Sequence, residues 1–170
     1  YCMPAEGLDW VPRDELLTFE EIERVARLSV EQFGIESIRI TGGEPTVRAR
    51  LPVLIKKLAQ LPVDLSMTTN GATLRVLSQD LVSAGLKRIN ISLDSLQSER
   101  FTELTLRDNL PQVLDGIEAA VESGLDPVKV NVVVMAGVND DEVIDFARFG
   151  RERGVIVRFI EFMPLDASEG

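Results

Sequence analysis

A glutamate set between two glycines and a proline, in Thr41-Gly42-Gly43-Glu44-Pro45, is the chain's first candidate for chemistry. The residues before it, Glu36-Ser-Ile-Arg-Ile-Thr41, alternate apolar and polar as a strand does. Gly42 and Gly43 supply backbone freedom and leave no Cβ to hold another molecule away. Pro45 biases Glu44 towards extended backbone, so its carboxylate stands just past the strand end. Such a mouth can grip a small molecule bearing an amine. An ordinary strand-to-helix turn would use the same residues.

A second set is cationic. Arg39, Lys129 and Arg158 fall on three different strand-like segments of a chain whose net charge is −10. Charges of one sign converging in a cleft suit an anionic ligand, and the guanidinium fork matches phosphate oxygens. Each one taken singly also fits a surface or ion-pair residue. Strict alternation places Arg158 on the side of Ile156 and Ile160, so an inward Arg158 requires a bulge.

Composition narrows the chemistry further. The chain has no histidine and a single cysteine, Cys2. That excludes Ser-His and Cys-His nucleophile systems, His-ligated zinc and an internal disulfide framework. One cysteine fits a reducing, cytoplasmic setting. The acidic balance argues against a nucleic-acid or membrane surface, and no apolar run is long enough to span a bilayer. Difficult chemistry here would belong to a cofactor.

The elements that must position these groups alternate. Thr18 followed by Glu21 reads as a capping box opening a helix that ends at Gly34. The strand at 36–41 follows, then helical spacing over 50–61 and a strand over 63–69 closed by Asn70-Gly71. Next come a helix over 74–84, a strand over 87–94, and helices over 98–106 and 110–123. A strand over 128–135, a helix over 140–153 and a strand over 155–163 complete the series. Five strands alternating with helices predict a parallel sheet with right-handed crossovers, in one domain spanning residues 1–170. An open doubly wound sheet and a βα barrel both fit. The turn at Gly42 lacks the Gly-x-Gly-x-x-Gly spacing of dinucleotide folds, which favours the barrel.

Strands of a parallel sheet covered on both faces read as continuous apolar runs. These instead show polar stripes: Arg39 and Thr41; Asp64, Ser66, Thr68 and Asn70; Asn90, Ser92 and Asp94; Lys129 and Asn131. Buried without partners, such groups would cost about 1–3 kcal/mol each. The pattern therefore predicts a wet, ligand-filled barrel interior. Polar faces turned to water, as in an antiparallel sheet, are the alternative.

Tyr1-Cys2-Met3-Pro4, Thr41-Gly-Gly-Glu-Pro-Thr46, Thr68-Thr-Asn-Gly71, Asn90-Ile-Ser-Leu-Asp-Ser95, Lys129-Val-Asn131 and Arg158-Phe-Ile-Glu-Phe-Met163 follow one another along the chain. This ordered set resembles the radical S-adenosylmethionine superfamily and, within it, the GTP 3′,8-cyclase family of molybdenum-cofactor biosynthesis. The resemblance implies an incomplete (βα)6 TIM-like barrel whose first strand lies upstream, so that 1–170 is a barrel domain truncated at both ends. It implies that Cys2 is the third cysteine of a Cys-x3-Cys-x2-Cys set holding a [4Fe–4S] cluster. Four ligands are the rule for such clusters, so Cys2 alone cannot hold one.

By the same resemblance, Tyr1, Gly42, Gly43, Glu44, Ser92 and the main chain at Met163 hold S-adenosylmethionine, with Glu44 accepting from its amino group. Arg39, Thr68, Lys129 and Arg158 hold GTP. The implied reaction is reductive cleavage of the cofactor, abstraction of the ribose 3′ hydrogen, and closure onto guanine C8. Its product is (8S)-3′,8-cyclo-7,8-dihydroguanosine 5′-triphosphate. An electron donor, a downstream pyranopterin-forming enzyme, a possible homodimer and a second [4Fe–4S] cluster in a C-terminal region are further implications. Ser37 stands where the family often has lysine, which implies fewer triphosphate contacts. Another radical S-adenosylmethionine enzyme and a non-catalytic nucleotide-binding βα domain are the alternative readings, and full activity is not expected of residues 1–170 alone.

Overall fold

The computed structural model describes Pro12 and residues 15–163. Tyr1 and Cys2, expected at the cofactor and cluster, lie outside the described residues. Helix α1 (Phe19–Phe33) begins at the expected capping box: the Glu21 amide donates to Thr18 Oγ1 at 3.2 Å and the Thr18 amide to Glu21 Oε2 at 2.7 Å. The helix stops at Gly34, which takes the left-handed conformation at φ 65°. Strand β1 (Ser37–Ile40) follows, and a single 3-10 turn at Pro45–Val47 leads into α2 (Leu51–Leu58). Leu51, Leu54, Ile55 and Leu58 of α2 recur at helical spacing and are all buried.

The remainder alternates: β2 (Asp64–Thr69), α3 (Leu74–Ser83), β3 (Arg88–Ser92), α4 (Ser98–Thr105), α5 (Leu110–Glu122), β4 (Val128–Val134), α6 (Val143–Arg153) and β5 (Ile156–Glu161). The expected helix over 140–153 divides into a 3-10 turn at Asp140–Glu142 and α6. All strand pairs are parallel and the spatial order is the sequence order, β1-β2-β3-β4-β5. Consecutive parallel neighbours joined by helical crossovers generate the arc of a TIM-like barrel; among the described residues β1 and β5 remain its two edges.

The core is one layer between the sheet and its helices. Leu65, Met67, Ile89, Ile91, Leu93, Val128, Val130 and Val132 face it from the strands. Leu54, Ile55, Leu74, Leu81, Ile117 and Phe146 meet them from the helices. Burying each of the larger side chains stabilises the fold by roughly 1.5–3 kcal/mol. Helix α5 approaches the turn after β2 so closely that a Cβ at Gly116 would lie 2.1 Å from the Gly71 carbonyl oxygen. That close approach explains a glycine inside a helix, where it otherwise lowers stability.

Candidate active site

In-register neighbours of a parallel sheet project their side chains to the same side. The register therefore sorts the polar stripes into rows. The lowest row is Arg39, Ser66 and Arg88. Above it lie Thr68, Asn90, Lys129 and Ile156. The next row, at the C-terminal end of β3, is Ser92, Asn131 and Arg158. Arg39, Thr68, Ser92, Lys129 and Arg158 thus share the face turned away from the helices; three of its cations, Arg39, Lys129 and Arg158, climb it diagonally from β1 to β5, and the fourth, Arg88, is paired with Asp64.

Arg158 reaches this face without the bulge that alternation demanded. The β4–β5 ladder runs unbroken from Lys129↔Ile156 to Val134↔Glu161. It is Ile156, half exposed, that stands on the polar side with Lys129. The helix-facing set on β5 is Val157 and Phe159: Val157 Cγ2 lies 2.9 Å from the position of a Cβ on Gly150 of α6. An apolar residue at the barrel edge had disguised the strand's inward side.

Glu44 is held firmly. Its Oε1 accepts from Thr69 Oγ1 at 2.7 Å, Thr46 Oγ1 at 2.7 Å and the Thr46 amide at 3.0 Å. Its Oε2 accepts from the Asn70 amide at 2.7 Å. The carboxylate is thereby fastened to the end of β2 with one oxygen more fully occupied than the other. A carboxylate offers about four acceptor positions shared between its two oxygens, so Oε2 is the side left for a further donor. Gly42 beside it sits at φ 146°, a conformation that side chains rarely adopt, and its missing Cβ would meet nothing within 4 Å. Thr46, Thr69 and Asn70 were not among the expected site residues. Thr69 is buried on the helix side of β2, where alternation predicts only packing; the signal available was Thr68-Thr-Asn-Gly71 closing a strand beside the Glu44 turn.

Lys129 and Asn131 are half-buried, Asn90 is buried and donates to Thr68 Oγ1 at 3.4 Å, and Ser92 is exposed. Asn131 Oδ1 is buried and has no hydrogen-bond partner. A buried acceptor of this kind calls for a donor, and its row-mates Ser92 and Arg158 leave the space above it polar. Met163 lies exposed two residues beyond β5. A separate cavity of about 980 Å³ opens between Phe19 of α1 and the Gly42-Gly43-Glu44 turn. It shares that turn with the polar face but does not reach Thr68, Ser92 or Lys129, so the two are distinct. Arg48 spans this cavity's wall, 5.4 Å over the Phe19 ring and donating to the Leu17 carbonyl at 2.6 Å.

Among the described residues no group of three or more cysteine, histidine or carboxylate side chains could hold a metal ion. No described helix is long and apolar enough to cross a membrane. An iron–sulfur cluster would find in this sequence only Cys2, outside the described residues. The turn at Gly42, the half-free Glu44 carboxylate and the orphaned Asn131 oxygen do fit a small ligand carrying an amine and hydroxyl groups.

Fold and site together define an α/β protein of the partial TIM-barrel class, with a polar, cation-bearing face inside the arc and a Gly-Gly-Glu-Pro turn at its rim. Residues 1–150 match the Radical SAM superfamily, and the chain belongs to it. Membership implies a [4Fe–4S] cluster and S-adenosylmethionine as cofactors. Among curated proteins, the chain is similar to a GTP 3′,8-cyclase of Rhodopirellula baltica, 48% identical over 99% of this chain and 47% of that protein. It is equally similar, at 48%, to a GTP 3′,8-cyclase of Moorella thermoacetica, over 99% of this chain and 52% of that protein. The chain spans about half the length of the curated relatives it matches. Among solved structures, Streptococcus suis SuiB shares the fold with a TM-score of 0.76 at 20% identity, over 91% of this chain and 36% of that one. Methylornithine synthase (PylB) does so with a TM-score of 0.68 at 18% identity, over 87% and 45%.

Proposed function

We propose that this chain is the barrel portion of a GTP 3′,8-cyclase, binding S-adenosylmethionine at the rim of the arc and GTP against its polar face. The observation that carries the reading is the shared face of Arg39, Lys129 and Arg158. Three cations on three strands give a triphosphate what a neutral substrate would not require. The names of the relatives, at 48% identity, support the same substrate.

In this reading each residue binds or orients. Arg39, Lys129 and Arg158 hold the triphosphate, and Thr68 offers a hydroxyl beside them. Glu44 Oε2 accepts from the cofactor amino group, while Thr46, Thr69 and Asn70 stop the carboxylate from turning away. Ser92 faces the cofactor, Asn131 Oδ1 takes a donor from the ligand beside it, and the Met163 main chain closes the rim. With a cluster completed by cysteines other than Cys2, the cofactor supplies one-electron hydrogen-abstraction chemistry. The protein contributes proximity and charge stabilisation. A second cluster, an electron donor and an enzyme consuming the cyclised nucleotide belong to this proposal, as does a cytoplasmic setting.

The test uses the full-length protein with its clusters reconstituted, supplied with GTP, S-adenosylmethionine and reductant. The expected product is the 3′,8-cyclised nucleotide. Cofactor cleavage with GTP recovered unchanged, alongside turnover of a substrate without phosphate, would overturn the reading.

A further inference from the structure

Beyond the last row of the polar face lies a buried polar assembly that no ligand role accounts for. The β3–β4 ladder ends where the Leu93 amide donates to the Asn131 carbonyl at 3.0 Å. One residue further, the Asp94 side chain replaces the backbone: its Oδ1 accepts from the Val133 amide at 2.8 Å. Asn139 then bridges both strand ends, donating from Nδ2 to the Asp94 carbonyl at 2.7 Å and the Val133 carbonyl at 2.8 Å. Its Oδ1 accepts from the Met135 amide at 2.7 Å. Behind it stands Glu142, 1% exposed, accepting from Ser95 Oγ at 2.8 Å and the Leu96 amide at 2.7 Å. Arg100 of α4 pairs with both Glu142 and Asp141.

We propose that Asp94, Asn139 and Glu142 form a clamp that sets the spacing of the β3 and β4 ends, and so positions Ser92 beside Asn131 for the cofactor. The inference rests on the reading that Ser92 and Asn131 face S-adenosylmethionine. A carboxylate taken wholly out of water is retained only where its partners are fixed, and here all of them lie on the turn after β3 and on α4. Asp94 follows Ser92 by two residues and Val133 follows Asn131 by two, so the clamp bears on the row directly above these side chains. Arg39, Thr68 and Lys129 lie in lower rows, held by the continuous ladders of β1 to β4, while Arg158 shares the row of Ser92 and Asn131 but is held by the β4–β5 ladder, which runs on to Val134↔Glu161. Loosening the clamp between β3 and β4 should therefore be felt by the cofactor more than by the triphosphate, whose Lys129 and Arg158 stay joined through the β4–β5 ladder. The three are positioning residues, because the bonds their side chains make go to the strand ends, to the turn after β3 and to α4.

The test is carried out on the cluster-loaded, full-length protein with Glu142→Gln, which preserves shape but removes the charge that Arg100 pairs with. Ser95→Ala, which deletes one bond to the same carboxylate, is the milder companion should Glu142→Gln fold poorly. Dissociation constants for S-adenosylmethionine and for GTP are measured separately by equilibrium dialysis, with a thermal melt of each variant. The expected result is an S-adenosylmethionine Kd raised about tenfold, as small misplacements of binding groups produce, with GTP affinity changed less than twofold. A lowered melting temperature with both affinities intact would show a purely structural network and overturn the clamp. Equal weakening for both ligands would overturn it too, as general loosening. Ser92→Ala separates the two layers of argument: if it leaves cofactor affinity unchanged, the reading of Ser92 fails; if it weakens binding while both clamp variants do not, the clamp fails.

Discussion

The Glu44 carboxylate and the Thr69 hydroxyl meet at 2.7 Å, across the end of β2 and from the side opposite Thr68. One strand end thus serves two purposes: Thr68 stands on the polar face while Thr69 fixes the carboxylate at the rim. Thr69 Oγ1 also accepts from the Gly71 amide at 3.1 Å, so it ties the turn after β2 to the same point. Thr69→Val keeps the shape and removes both bonds. It should cost about 0.5–1.5 kcal/mol per bond lost and let Glu44 rotate. Isothermal titration with S-adenosylmethionine on the full-length enzyme should show weaker binding, with Glu44→Gln giving a larger loss. An affinity unchanged in both variants would remove Glu44 from the cofactor site.

Arg39 stands in the lowest row of the polar face, exposed and with no ion pair among the described residues to consume its charge. A charge-assisted bond to phosphate contributes about 1.5–3 kcal/mol. Arg39→Ala should therefore raise the GTP Kd roughly tenfold or more, and reductive cleavage of the cofactor without GTP should continue. Lys129→Ala should do the same to a lesser degree, since an ammonium offers no bidentate fork. The comparison with guanosine checks the cause: the loss should vanish when the ligand carries no phosphate.

Much of this site could be read from residue order because strand alternation and turn chemistry are local. The polar stripes at Arg39, Thr68, Ser92 and Lys129 follow from period two alone, and the register then aligns them. The bulge expected before Arg158 is absent because Ile156, on a strand that is an edge among the described residues, faces inward although apolar. The holders of Glu44 were missed for a different reason. Thr69 and Asn70 reach it through the meeting of two strand ends that are distant in sequence, while Thr46 bonds it locally, two residues on. The clamp at Asn139 and Glu142 is likewise a product of crossover geometry, and nothing in Val138-Asn-Asp-Asp-Glu142 distinguishes it from an acidic helix start.

Arg75 ties α3 to α5 through Asp115 at 2.7 Å and Glu122 at 2.6 Å. The bond from Arg75 holds the Asp115 carboxyl below its ordinary range. A group depressed in the folded state contributes stability above its unfolded pKa and loses it as pH falls through the folded one. The stability gap between the native chain and Asp115→Asn should therefore be widest near neutrality. It should close on acidification below the normal carboxylate range. Urea midpoints at pH 7 and in strong acid measure it, and added salt should narrow the gap at pH 7 because both partners are exposed.

Gly116 couples this helix layer to the rim. Alanine is the better helix former by about 1 kcal/mol, yet a Cβ at this position would lie 2.1 Å from the Gly71 carbonyl and 3.3 Å from Leu74 Cβ. The Gly71 oxygen is backbone and cannot rotate aside, so α5 or the turn must move. Overpacking of this kind costs about 1–3 kcal/mol, and Gly116→Ala should lower the melting temperature against its helix propensity. The turn that would be pushed carries the Asn70 amide, 2.7 Å from Glu44 Oε2. Cofactor affinity should accordingly fall along with stability, whereas Val76→Ala, on the exposed side of α3, should alter neither by more than about 0.5 kcal/mol. Loss of stability in Gly116→Ala with full cofactor affinity would mean that the strand end holds Glu44 without help from the turn.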